Sequence, residues 1–194
     1  MASPRRDYLT VVSGLPRSGT SMMMQMLDNG GIPALIDNIR QADEDNPKGY
    51  YEFEAVKQTK KDPSWLAQSQ GKVVKMVHLL LLDLPPDRAY RVVFMRRDLR
   101  EVVKSQNVML ERHGKGSDDL PEDKIVAMFE AQIDKVDKYI REHPCFRMLQ
   151  VNYNEMLRSP GPQVQAVNEF LGGDLDTQAM LQVIDPALYR NRRA

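Results

Sequence analysis

At 194 residues, 42% hydrophobic and 28% charged, the chain is long enough to bury one substantial core and short for two, so residues 1–194 are expected to form a single domain. Lysine plus arginine equals aspartate plus glutamate at 27 each, which excludes a global field drawing the protein to nucleic acid or to an anionic membrane; any anion site must be built locally. The single cysteine, Cys145, excludes an internal disulfide and, with three scattered histidines, offers no metal-ligand cluster, so no metal is expected and the usage points to a reducing cytoplasm.

Along the chain, Met1 to Asp7 passes at once into a strand pattern without the longer apolar stretch of a signal peptide, so export is not expected. Tyr8-Leu9-Thr10-Val11-Val12 is the first strand-like run. It leads into Gly14-Leu15-Pro16-Arg17-Ser18-Gly19-Thr20-Ser21 and then a helical stretch, Ser18 to Asn29, stopped by Gly30-Gly31. A strand, a glycine-bounded loop and a helix amino terminus together make an anion cradle: glycines let the backbone wrap, amide hydrogens point inward, and the helix end adds partial positive charge. The Gly14 to Gly19 spacing matches a Walker-type loop, but Thr20 stands where a nucleotide kinase carries its lysine. The cation sits instead at Arg17, whose guanidinium can fork onto a terminal oxyanion. Met22 to Met26 reads as core filling on a buried helix face.

The run Val12 to Ser21 resembles the 5′-phosphosulfate loop of sulfotransferases, in which a proline and a basic residue precede Ser-Gly-Thr. The resemblance implies that Pro16, Arg17, Ser18, Gly19, Thr20 and Ser21 bind 3′-phosphoadenylyl sulfate and that Arg17 steadies the sulfuryl group.

Asp37 to Gly49 is polar and loop-like, and it ends in Asn46-Pro47-Lys48-Gly49. The stretch Asn46 to Glu54 resembles the region before the first long helix of bacterial relatives, which implies Glu52 as the base facing the acceptor. Lys72 to Val77 is the second strand pattern, inside a dense apolar run, Val73 to Leu84. Lys75, His78 and Asp83 break that run, which is too short to span a bilayer, so no membrane insertion is expected. His78 lies near where cytosolic sulfotransferases keep a catalytic histidine, with the register shifted by about one residue. It is a second candidate base, beside its reading as a satisfied structural histidine. Lys48 and Lys75 are possible further cations or solvated lysines.

Tyr90 to Met95 is the third strand pattern, followed by Arg96-Arg97-Asp98 and a helix from Asp98 to Arg112 with a capping-box start at Asp98 and Glu101. A nucleotide with a 3′-phosphate needs a second, separate anion site. Phe94 to Ser105 resembles the 3′-phosphate segment of sulfotransferases, which implies Arg97 and Ser105 as its ligands, with Leu99 where family members often carry proline. Arg96 reads as a structural or surface arginine. After a charged loop, His113 to Asp119, apolar positions from Ile125 to Ile140 recur at helical spacing over Pro121 to Glu142. Phe146 to Val151 is the fourth strand pattern. Leu149 to Pro160 resembles the family's late strand, aromatic residue and short helix, so Tyr153 is expected either to stack on the adenine or to cap the core. Helices over Pro162 to Leu171 and Thr177 to Ile184 precede a basic end at Arg190 to Arg193, read either as folding back to the 3′-phosphate or as a frayed tail.

Strands separated by helices predict an α/β, three-layer P-loop fold with a mostly parallel central sheet of about four to five strands, its ligands lying beyond the strands' carboxyl ends. The resemblance implies a sulfotransferase that moves a sulfuryl group from 3′-phosphoadenylyl sulfate to a hydroxyl or amine and leaves adenosine 3′,5′-bisphosphate. The alternatives are a small P-loop nucleotide kinase and a non-catalytic nucleotide- or anion-binding module. The acceptor and the oligomeric state stay open.

Overall fold

The four runs rich in valine and aromatic residues become four strands: β1 (Tyr8–Gly14), β2 (Val73–Val77), β3 (Ala89–Arg96) and β4 (Phe146–Asn152). In this computed structural model, which describes residues 6–37, 39, 49–112, 114 and 120–185, they form one sheet in the order β2-β1-β3-β4. Every neighbouring pair is parallel. β1 is central and buried from Leu9 onward, as a parallel strand covered on both faces must be.

Alternation along the strands splits the core into two layers. Val12, Val93 and Val151 face one side and pack with Met23, Met24 and Met26 of α1 (Thr20–Asn29), so the methionine run fills core. α4 (Tyr153–Arg158), α5 (Pro160–Phe170) and α6 (Thr177–Gln182) complete that layer. Val11, Val74, Val92 and Phe94 face the other side, against Val136 and Ile140 of α3 (Glu122–Glu142). A third cluster joins Leu15 to Val102 and Val103 of α2 (Leu99–Arg112) and to Ile125, Phe129 and Ile133 of α3, the stripe read from helical spacing.

The elements start and stop for local reasons. α1 begins at Thr20 rather than Ser18, because Gly19 is left-handed at φ 96° and cannot lie in the helix. It ends at Gly30, and Gly31 at φ 104° turns the chain. The Asp98 carboxylate accepts from the amides of Arg100 (3.0 Å) and Glu101 (3.2 Å), the expected cap of α2. α5 opens with Pro160 in its first turn, two residues earlier than its apolar spacing predicts. Three 3-10 segments, Glu54–Gln58, Ser64–Gln68 and His78–Asp83, have no counterpart in the sequence reading; the last turns the apolar run after β2 into a short coil over the sheet edge. Among the described residues, no helix is long and apolar enough to cross a membrane. Lys48, the loop from His113 to Asp119 apart from Gly114, and the basic end at Arg190 to Arg193 lie outside the described residues.

Candidate functional site

The crevice of interest lies where β1 and β3 end and the chain turns into α1 and α2. β1 hands over to a loop whose shape is fixed from within: Ser18 gives both its amide (3.2 Å) and its hydroxyl (2.7 Å) to the Leu15 carbonyl. Ser18 therefore supplies loop geometry. The amides of the first helical turn, from Thr20 on, have no intrahelical partner by construction and carry the positive end of the helix dipole. Arg17 is a non-glycine residue at φ 71°, a strained conformation of the kind that persists where surrounding structure over-determines it. Gly19 is pressed so closely on Tyr153 that a Cβ there would meet the ring at 2.4 Å.

The two arginines expected to serve separate anions lie side by side. Arg17 Nε donates to Ser105 Oγ at 3.0 Å, and Arg97 Nη1 donates to the Arg17 carbonyl at 3.0 Å. Ser105, nearly buried on α2 at 2% exposure, accepts from Arg17 and retains its own hydroxyl hydrogen. Arg97 is also anchored by Glu101, its Nε donating to Oε2 at 3.0 Å. Its guanidinium lies over the Tyr153 ring, 4.7 Å from the centroid. Tyr153 itself is 7% exposed and belongs to the core layer under α1. Burial raises its pKa, Glu101 adding to the rise and Arg97 and Arg17 opposing it, so the phenol stays neutral. Its placement is that of a floor beneath both the loop and Arg97. A cleft of about 340 Å³ opens here, lined by Leu15, Ser18, Arg96 and Arg97 with Glu130 and Asp134 of α3. Arg96, which the sequence reads as a structural or surface arginine, lines this cleft with its Nη1 buried and without a hydrogen-bond partner among the described residues.

A third group gathers around Lys75, midway along β2. Lys75 Nζ donates to the Tyr50 carbonyl and reaches Ser21 Oγ at 3.4 Å and Glu52 Oε1 at 3.5 Å. Lys75 thus ties the first turn of α1 to the segment carrying Glu52, and the two side chains are 13% and 22% exposed. Asp37 holds that segment: its amide donates to the Glu52 carbonyl (3.2 Å) and its Oδ2 accepts from the Glu54 amide (2.6 Å). Tyr51, at φ 52°, is the second non-glycine residue held left-handed. His78 follows β2 but is 3% exposed. Its Nε2 donates to Gln132 Oε1 of α3 at 2.8 Å. Burial lowers its pKa and outweighs the hydrogen bond to Gln132; Nδ1 makes no well-formed hydrogen bond, so the nearby Gly14 backbone adds little. Glu52 is the more accessible of the two candidate bases. Among the described residues, no group of three or more His, Cys, Asp or Glu side chains could hold a metal ion.

The sequence profile described as the sulfotransferase domain matches residues 7–194. The chain belongs to the sulfotransferase family. Solved sulfotransferases share its fold. A sulfotransferase domain from the curacin biosynthetic pathway is 14% identical with a TM-score of 0.53, the match covering 93% of this chain and 79% of that one. The sulfotransferase domain of the Synechococcus PCC 7002 olefin synthase is also 14% identical, with a TM-score of 0.55, over 97% of this chain and 88% of that one. No curated protein matches the chain. In this chain Arg17, Arg97, Ser105 and Tyr153, read from the sequence as parts of two separate anion sites and an aromatic neighbour, meet in one crevice; the sequence reading gave Glu101 only a capping role and Lys75 that of a further cation or solvated lysine, and gave none to Asn154. The sequence signal for a site role of Glu101 and Asn154 is a charged or amide side chain in a first helical turn, the zone beside the crevice, and Lys75 is a lone cation inside an apolar strand.

Proposed function

We propose that the protein transfers a sulfuryl group from 3′-phosphoadenylyl sulfate to a hydroxyl or amine acceptor and releases adenosine 3′,5′-bisphosphate. The observation that carries this reading is the meeting of Arg17, Ser105 and Arg97 in one crevice, through the Arg17 to Ser105 and Arg97 to Arg17 hydrogen bonds. In the reading, the first-turn amides and hydroxyls of Thr20 and Ser21 hold the 5′-phosphate with Gly19 allowing close approach, while Pro16 and Ser18 set the loop's shape. Arg17 neutralises charge that develops on the bridging oxygen as the bond to sulfur breaks. Arg97 and the Ser105 hydroxyl take the 3′-phosphate, with Tyr153 supporting them from below. Lys75 stands at the same helix end as a second cation beside the transferred group, and Glu52, 3.5 Å from it, accepts the acceptor's proton. This assignment uses no metal. A nucleotide kinase is the weaker reading, since Thr20 occupies the place of the kinase lysine.

Thermal unfolding with adenosine 3′,5′-bisphosphate, with ATP plus magnesium, and with sulfate alone tests the donor, because a ligand that prefers the folded state raises the melting temperature. The bisphosphate without magnesium is expected to stabilise most; a larger shift with ATP and magnesium would overturn the assignment. Transfer of labelled sulfate from the donor into an acceptor pool, lost in Glu52→Gln with donor affinity retained, separates an enzyme from a binding module.

A further inference from the structure

Glu101 is an acidic side chain buried to 4% exposure, and an ionised carboxylate that deep is stable only if fully partnered. Its partners are specific. Oε2 accepts from Arg97 Nε at 3.0 Å, and Asn154, from α4 after β4, donates its amide to Oε2 at 3.2 Å and to Oε1 at 3.3 Å. The contact joins three chain turns: the end of β3, the first turn of α2 and the first turn of α4.

A guanidinium is planar and rigid, and its usefulness to an anion depends on where its fork points. Arg97 is fixed at two of its nitrogens, Nε by Glu101 and Nη1 by the Arg17 carbonyl, while its face rests on the Tyr153 ring. The Glu101 contact at Nε opposes rotation of the group about its Nη1 contact, and Asn154 holds the carboxylate that imposes this.

We infer that Glu101, oriented by Asn154, is a positioning residue that aims Arg97 at the 3′-phosphate and so sets the preference for a 3′-phosphorylated nucleotide over its unphosphorylated counterpart. The inference rests on the nucleotide assignment above and adds to it the origin of that preference. A merely structural ion pair would stabilise the fold without altering which nucleotide is bound.

The test is the ratio of dissociation constants for adenosine 5′-monophosphate and adenosine 3′,5′-bisphosphate, measured calorimetrically on the full chain. The two ligands share every group except the 3′-phosphate, so a general defect weakens both and leaves the ratio alone. Wild type is expected to prefer the bisphosphate. Glu101→Gln, which keeps the shape and removes the charge, is expected to lower the ratio about tenfold, the order of a lost charge-assisted hydrogen bond. In an Arg97→Lys background, which has no fork to aim, the same change leaves the ratio where Arg97→Lys put it. An unchanged ratio in Glu101→Gln, or equal weakening of both nucleotides, overturns the inference. Should Glu101→Gln fail to fold, Glu101→Asp, which keeps the charge and withdraws it from Nε, is read in the same way. Absence of any preference in wild type is a separate result, visible before a variant is made, and it removes the 3′-phosphate assignment itself.

Discussion

Gly19 shows how narrowly the crevice is specified at single positions. Its φ of 96° is one that side chains rarely adopt, and an added Cβ would lie 2.4 Å from Tyr153 Cδ2 and 2.8 Å from Cε2. Gly19→Ala therefore meets two separate penalties, backbone strain and a steric clash with a ring that cannot yield because Arg97 lies on its face. A loss of about 1–3 kcal/mol is expected, read from denaturant midpoints. Adding Tyr153→Ala should recover the steric share, so the pair of changes costs less than the sum of each alone. Strict additivity would mean that the clash is relieved elsewhere and that Tyr153 does not support the loop. The sequence makes the glycine legible as part of an anion loop. It does not disclose Tyr153 beneath it, because that contact joins positions far apart in the chain, and no local pattern encodes such a meeting.

Between elements, the same division holds. Parallel strands and amphipathic helices announce themselves by valine-rich runs and helical spacing, so β1 to β4, α2 and α3 fall close to where the sequence puts them. The 3-10 segments do not, because a five- or six-residue coil at three residues per turn leaves too short a pattern to separate from an apolar run. His78 sits on this boundary. It opens the segment after β2, and its hydrogen bond to Gln132 clamps that segment to α3. Burial holds its pKa below the ordinary value of about 6.5. As pH falls below that ordinary value, the unfolded chain takes up a proton that the folded ring refuses, so stability declines with falling pH until the folded-state pKa is passed. His78→Gln, which can keep a hydrogen bond to Gln132 without titrating, is expected to flatten that dependence. Equal stability losses in wild type and variant between about pH 7 and about pH 5 would show that the histidine does not titrate as its burial requires.

For the molecule as a whole, 27 basic and 27 acidic side chains cancel, and at the crevice the cations Arg17, Lys75, Arg96 and Arg97 stand among the carboxylates of Glu52, Glu101, Glu130 and Asp134. Arg17, Arg96 and Arg97 come from the loop after β1 and the end of β3, because a parallel sheet directs every carboxyl end to one edge, while Lys75 reaches the first turn of α1 from the middle of β2. Cations gathered at one edge of a neutral protein give two observables with different salt responses. Global stability lacks a net self-repulsion or attraction for salt to screen, and its surface ion pairs contribute little. Binding of a multiply charged nucleotide depends on charge brought from bulk solvent to the crevice, and the screening length falls from ~10 Å at 0.1 M salt to ~3 Å at 1 M. Raising salt over that range is therefore expected to weaken adenosine 3′,5′-bisphosphate binding severalfold while moving the ligand-free melting temperature little. Adenosine 5′-monophosphate, with fewer charges, should lose less affinity. Chloride suits the measurement better than sulfate, since sulfate would compete for the same loop and mimic screening. If the two nucleotides lose affinity in equal proportion, the additional phosphate does not sit among these cations, and the placement of Arg97 opposite it is wrong.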